Sequence, residues 1–252
     1  MRLTGSVIVV TGASRGIGRA TAELLADQGA IVVCAGRDEA ALRELADRLG
    51  GSYLAADLTD PAAAEQLIQH ALARYGRLDG LVANAGIGHV GAFAEMPAEE
   101  IGRLVDLDLR APMLLARAAV GAMTAGPPGD RAIVFVNSIA GAVGVPGEAV
   151  YSACKAGLAA FAEVLAEELR GRRIAVATVL PGVVDTDFLQ GRAVPYHRRF
   201  PRPMPPDRVA RTIVAALTGD RRRRFVPRWL AIPARLAGAL PGTYRRLARR
   251  FG

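Results

Sequence analysis

The chain has 252 residues, 51% of them hydrophobic and 22% charged, which suits a globular domain with a large core and excludes a disordered protein. Its net charge of +8 is lopsided: from residue 187 onward 16 Arg face three Asp, whereas residues 1–186 carry 16 cations against 21 acids. A mildly acidic body with a basic tail is not the surface of a nucleic-acid binder, and two cysteines at no ligand-like spacing exclude a disulfide framework and a zinc centre.

In chain order, apolar runs at 6–11, 30–35, 52–56, 81–84, 132–138 and 174–180 predict strands, with a last strand at 223–226. Helical periodicity lies between them. In 18–28, Ala22, Leu25 and Ala26 share a face, and in 148–170 Leu158, Phe161, Leu165 and Leu169 recur at spacings of three and four. Strands alternating with helices predict an α/β fold with a doubly wound, mainly parallel sheet covered on both faces. After Pro181 the texture changes. Pro195, Pro201, Pro203, Pro205 and Pro206 break any regular element, so about 187–206 reads as a loop or lid, followed by a short helix at 208–217. The expected organisation is a single domain over 1–226 and an appended basic amphipathic segment over 227–252. No signal-peptide pattern opens the sequence, and no apolar run approaches the roughly 20 residues that span a bilayer. The expected location is cytoplasmic, with Cys34 and Cys154 reduced and no metal bound.

The first strand runs into TGASRGIG, residues 11–18, where Gly12, Gly16 and Gly18 allow backbone to approach a pyrophosphate at a helix N-terminus. A carboxylate at the end of the second strand would mark NAD, through the ribose 2′-OH. The chain instead reads CAGRDEAAL: Arg37 follows Gly36 at once, and Asp38 suits a helix cap. With Arg15 in the glycine turn, two guanidiniums stand where a 2′-phosphate would lie, so the expected cofactor is NADP(H).

The stretch YSACKAG, residues 151–157, holds the only lysine of the chain; every other basic residue of the Lys/Arg set is Arg. Tyr151 and Lys155 stand four residues apart, on one helix face. An ammonium there favours phenolate and would bring tyrosine, ordinarily near 10, toward useful acid–base chemistry. Together with ANAG (83–86), NSIAG (137–141) and PGVVDT (181–186), in this order, the motifs closely resemble the short-chain dehydrogenase/reductase family. The resemblance covers about three-quarters of the chain. It implies a seven-stranded Rossmann-like sheet, a nicotinamide cofactor, and hydride transfer between an alcohol and a ketone or aldehyde. By motif, Tyr151 is the general acid/base, Ser138 a hydrogen-bonding partner of the same substrate oxygen, and Lys155 the residue that binds the nicotinamide ribose and lowers the tyrosine pKa. The cofactor would lie on Gly12, Ser14, Arg15, Gly16, Ile17 and Gly18, with Arg37, Asp57 and Leu58 at its adenosine end. Asn84, Ala85 and Gly86 would form the floor. Pro181, Gly182, Val184 and Thr186 would flank the nicotinamide, with Thr186 on its carboxamide. The family has asparagine in a proton relay behind the lysine; the aligned residue is Asp108, in LVDLDLRAP, which the resemblance implies as the catalytic relay member here.

The resemblance also implies a dimer or tetramer. His89 reads either as a lining residue of the substrate side or as a plain loop histidine. Phe188, Leu189, Tyr196 and Phe200 in the lid suggest a hydrophobic substrate. In the C-terminal segment Trp229, Ile232, Leu236, Leu240, Tyr244, Leu247 and Phe251 recur every three or four residues between arginines. That pattern suits either peripheral membrane contact or docking on the domain or a partner subunit. The leading expectation is an NADP(H)-dependent carbonyl reductase or alcohol dehydrogenase; the alternatives are a non-catalytic NADP-binding regulator or scaffold and a peripheral membrane protein.

Overall fold

The computed structural model describes residues 1–190, 201–219, 222–244 and 246. Seven strands form one sheet: β1 (Val7–Thr11), β2 (Ile31–Gly36), β3 (Ser52–Ala55), β4 (Gly80–Ala83), β5 (Arg131–Val136), β6 (Ile174–Pro181) and β7 (Arg223–Val226). Their order is β3-β2-β1-β4-β5-β6-β7, and every pairing is parallel. The central strands explain themselves by composition. VIVVT in β1 and RAIVFV in β5 are buried at every position, as strands covered on both faces must be. All seven expected strands are present, with ends shifted by a residue or two. Asn137 and Ser138 leave β5 at its end and turn toward the cleft described below.

One face of the sheet is packed by α3 (Pro61–Tyr75), α5 (Ala111–Ala125) and α7 (Ala149–Glu168), around Leu67, Leu115, Phe135 and Leu158. The other is packed by α1 (Gly16–Asp27), α2 (Glu39–Leu49) and α9 (Pro206–Thr218), around Leu25, Leu45, Ile8 and Ile213. Among the described residues, α4 (Ala98–Val105), α6 (Ala140–Val143) and α8 (Asp187–Gln190) are shorter helices, and α10 (Ala231–Ala239) follows β7. The helix starts are written in the sequence. Asp38 accepts from the Ala41 N–H at 3.1 Å to cap α2, and Asp60 caps α3 just before Pro61. This is the capping role expected of Asp38.

Two features depart from expectation. Residues 106–110 form a π-turn that joins α4 to α5, and it carries Asp108 inward. Such bulges break helical periodicity and recur at functional sites. Also, α7 is long and apolar enough to cross a bilayer by length and composition, contrary to the expectation that no segment is. It lies against the sheet instead, with Phe161 edge-on to Phe135 of β5 at 5.8 Å.

Candidate active site

In this strand order the direction of winding reverses between β1 and β4, and a crevice opens at the carboxyl ends of the strands. The cleft there encloses about 2270 Å³. A single ligand pocket typically holds about 300–1,000 Å³, so this one has room for a dinucleotide and a substrate. At one end lies the glycine turn. Gly18 is required by packing: a Cβ there would sit 2.1 Å from the Gly12 carbonyl oxygen. The first turn of α1 has no side-chain cap and no acidic residue, which leaves its N–H groups and positive dipole end open to an anion. The turn therefore fits a pyrophosphate.

The floor is stapled across strands. Thr11 Oγ1 accepts from the N–H groups of Asn84 and Ala85, both at 3.0 Å, and Asn84 Nδ2 donates to the Thr11 carbonyl at 2.9 Å. Thr11 was not singled out from sequence; its signal is that it ends β1 at the switch point. Gly86 is bare for a different reason. A Cβ there would lie 2.6 Å from Asp108 Oδ1 and 3.4 Å from Lys155 Nζ.

The opposite wall is the first turns of α7. Tyr151 and Lys155 are both buried and share a face, with Lys155 Nζ 5.6 Å from the Tyr151 ring centre. Their register is fixed by Asn137, whose Nδ2 donates to the Lys155 carbonyl at 2.9 Å while its Oδ1 accepts from the Ser138 N–H at 2.8 Å. One buried amide thus ties the end of β5 to the start of α7. Asn137 is a positioning residue whose only signal in the sequence is its place in NSIAG, next to Ser138. Ser138 Oγ accepts from the Ala140 N–H at 3.1 Å and also reaches the Tyr151 hydroxyl.

Asp108 completes the group. Its Oδ1 lies 2.9 Å from Lys155 Nζ, and its Oδ2 accepts from the Ile87 N–H at 3.2 Å. The Oδ1 contact has ion-pair distance without strict hydrogen-bond alignment and is an ion pair. Where the resemblance implies an amide behind the lysine, a carboxylate touches the ammonium directly.

The electrostatics follow. Burial pushes the Asp108 carboxyl up against the pull of Lys155. Burial opposes the Lys155 ammonium, yet Asp108 and then Tyr151 hold it above the ordinary lysine value. For Tyr151, burial raises the phenol above 10; Lys155 pulls it down, and Asp108 pushes it up again. The expected net lowering by Lys155 is therefore reversed. Burial is the largest cause, and the Asp108 carboxyl beside the lysine offsets part of its field at the tyrosine.

The remaining expected residues also line the cleft. Ser14, Arg15, Gly16, Ile17, Arg37, Asp57 and Leu58 stand at the glycine-turn end. Asp57 Oδ1 accepts from the Thr59 N–H and hydroxyl, which hold its carboxyl below the usual range. Arg15 lies 3.6 Å from Asp187 of α8, both side chains being exposed. Pro181, Gly182, Val184 and Thr186 border the other side, and Thr186 faces Gly16. Phe188 lies over Tyr151, ring centres 6.0 Å apart. Tyr196 and Phe200 lie outside the described residues, as does the Leu189 side chain. His89 is not on the cleft: it lines a small separate hollow with Phe93 and Met96. Both cysteines are free and buried, and burial pushes the Cys34 thiol up to about 12.

The family model described as short chain dehydrogenase matches residues 6–194. The chain is 39% identical over 190 residues to the 3-oxoacyl-(acyl-carrier-protein) reductase FabG of Escherichia coli (strain K12), covering 75% of this chain and 77% of that one. It is 38% identical over 220 residues to the 3-oxoacyl-(acyl-carrier-protein) reductase of Synechocystis, covering 84% and 88%. Among solved structures, the 3-ketoacyl-(acyl-carrier-protein) reductase of Brucella melitensis complexed with NADH superposes with a TM-score of 0.80 at 27% identity, over 89% of this chain and 97% of that one. A short chain dehydrogenase/reductase of Burkholderia phymatum in complex with NAD shares the fold, with a TM-score of 0.83 at 24% identity over 94% of each chain. By motifs, fold and relatives alike, the chain belongs to the short-chain dehydrogenase/reductase family and is one of its oxidoreductases.

Proposed function

We propose that the protein is an NADP(H)-dependent reductase of a hydrophobic ketone or aldehyde, with residues 1–226 as its catalytic unit. The observation that carries this reading is the convergence of Ser138, Tyr151 and Lys155 on one cleft that ends, on the other side, at Arg15 and Arg37. The names of the curated relatives support a 3-oxoacyl thioester as the first substrate to try.

When bound, the nicotinamide supplies the hydride. The chain's own residues handle the oxygen. Ser138 Oγ accepts from the Ala140 N–H, and its own O–H, beside the Tyr151 hydroxyl, turns to donate to the carbonyl oxygen. Tyr151 gives its proton to the same oxygen as the C=O π pair moves there, leaving a phenolate that the Lys155 ammonium favours. Reduction needs the protonated phenol at the start, and the raised pKa of Tyr151 supplies it across the neutral range. Thr186 and the 181–184 turn hold the nicotinamide end; Gly12, Gly16, Ile17, Gly18, Asn84 and Ala85 hold the backbone of the cofactor; Arg15 and Arg37 take the 2′-phosphate.

The test is NADPH oxidation against 3-oxoacyl thioesters and apolar ketones, with Tyr151→Phe as the control. Turnover that falls by at least about a hundredfold in the variant, with NADPH binding retained, is expected. Equal turnover by the variant, or better use of NADH than NADPH at subsaturating concentrations, would overturn the reading. A non-catalytic regulator or scaffold predicts no turnover with any carbonyl.

A further inference from the structure

The C-terminal segment lies beyond residue 194, where the family match ends, yet it lines the same cleft as Tyr151. Its lining side chains include Trp229, Ile232 and Leu236, while Arg228 and Arg235 are absent from the lining. The amphipathic pattern is thereby explained in part: the apolar face of α10 turns toward the active-site cleft, not away from the protein. The segment is anchored there. Leu230 is buried, and its Cδ1 would lie 2.9 Å from a Cβ on Gly182; Gly182 N–H in turn donates to the Val226 carbonyl at 2.8 Å. The start of α10 is thus fixed under the 181–184 turn.

Beyond that anchor the wall is exposed. Ile232 is 69% and Trp229 40% accessible, and Phe188, which lies over Tyr151, is 42% accessible. Large apolar side chains grouped at the mouth of a cleft mark a surface that binds something apolar. Val143 and Val145 face the same cleft from α6 and the turn after it. Ile232 and Leu236, four residues apart, form a narrow strip that rises about 6 Å along the helix. This aliphatic strip, on the same cleft as Phe188 and Trp229, suits an extended chain better than a fused-ring substrate.

We infer that Trp229, Ile232 and Leu236 form a binding wall for an unbranched alkyl or acyl chain, which sets the chain length of the carbonyl compound presented to Tyr151. The inference rests on reading the cleft as a carbonyl reductase site. It adds a specificity element that the matched region does not contain.

The experiment uses 3-oxoacyl N-acetylcysteamine thioesters from four to fourteen carbons. For the wild type, kcat/KM rises with chain length, by up to about fourfold for each methylene that becomes buried. In Ile232→Ser/Leu236→Ser the ratio of kcat/KM for the twelve-carbon to the four-carbon substrate falls at least about tenfold. Ile232→Trp, which narrows the cleft without removing apolar area, shifts the preference to shorter chains. Trp229 is the only tryptophan of the chain, so its emission reports the wall without any turnover. Dodecanoyl N-acetylcysteamine, which has no 3-oxo group, shifts that emission to the blue in the wild type and not in the double variant. If neither the thioesters nor the apolar ketones are reduced but the emission shift occurs, the reductase reading fails and the wall stands. An unchanged length ratio in both variants together with an unmoved emission overturns the wall. So does loss of sedimentation with phosphatidylglycerol vesicles in the double variant while the length profile is unchanged, since the face would then serve a membrane.

Discussion

Lys155 Nζ lies 2.9 Å from Asp108 Oδ1, with the two side chains only 5% and 0% exposed. The pair is a buried ammonium and carboxylate immediately behind the proposed acid, so whatever charge Asp108 carries is felt at Tyr151. Asp108 raises Tyr151 while Lys155 lowers it.

Asp108→Asn keeps an acceptor for the Ile87 N–H and removes the charge. With the carboxylate gone, the field of Lys155 on Tyr151 is less cancelled, and the phenol pKa falls. Reduction requires the phenol, so its alkaline decline moves to lower pH. Oxidation requires the phenolate, so its rising limb moves to lower pH as well. Profiles of kcat/KM against pH in both directions measure this; limbs that stay in place, or move upward, would show that Asp108 does not set the charge at Tyr151.

The same pair makes a stability prediction. Asp108→Leu strands a buried ammonium and is expected to cost about 3–5 kcal/mol, whereas Asp108→Leu/Lys155→Met recovers much of that loss because no charge remains buried. Urea unfolding of the three variants and the wild type closes the cycle. A double variant no more stable than Asp108→Leu would mean that packing, not charge pairing, holds this region. The pH dependence has a definite sign. Both Asp108 and Lys155 are raised in the folded protein, so their contribution to stability is present at low pH and is lost as pH rises through each folded value.

The fold was legible because its signals are local: buried β-branched runs, a glycine turn, aspartate caps at Asp38 and Asp60. The motifs also brought together in space what they placed in order. What escaped was set by distant contacts. The π-turn that aims Asp108 inward has no periodic signature, and its direct contact with Lys155 depends on the bare backbone of Gly86. The raised pKa of Tyr151 could not be read from an i,i+4 pair, since burial and a carboxylate from another helix outweigh the neighbouring lysine. The C-terminal pattern was legible as amphipathic, but only the packing of Leu230 under Gly182 tells which way its apolar face turns.

The adenosine end offers a charge-specific test. Arg37 is exposed on the cleft lining, and Arg15 stands 3.6 Å from Asp187. A charge-assisted bond to phosphate is worth about 1.5–3 kcal/mol, so Arg37→Ala is expected to raise KM for NADPH by about ten- to a hundredfold while KM for NADH changes little. Arg15→Ala has the smaller effect, because Asp187 already competes for its guanidinium. Steady-state kinetics with both cofactors decides; a parallel rise in both KM values would mean that Arg37 supports the fold of the cleft and does not read the 2′-phosphate.

Lys155 is the single lysine among 32 cationic residues, which makes Lys155→Arg more informative than its loss. The charge survives this substitution; the shape does not. Nζ is enclosed by Asp108 Oδ1 at 2.9 Å, by the Gly86 backbone and by the Tyr151 ring, whose centre is 5.6 Å away. A planar guanidinium is wider than a rotatable ammonium and must displace one of these neighbours, and Asn137 holds the Lys155 backbone so that the helix cannot shift to make room. We expect kcat to fall by at least about a hundredfold, with the circular dichroism spectrum unchanged. Lys155→Met should fall as far. Retention of activity within about tenfold by the arginine variant would mean that positive charge alone is what this position supplies.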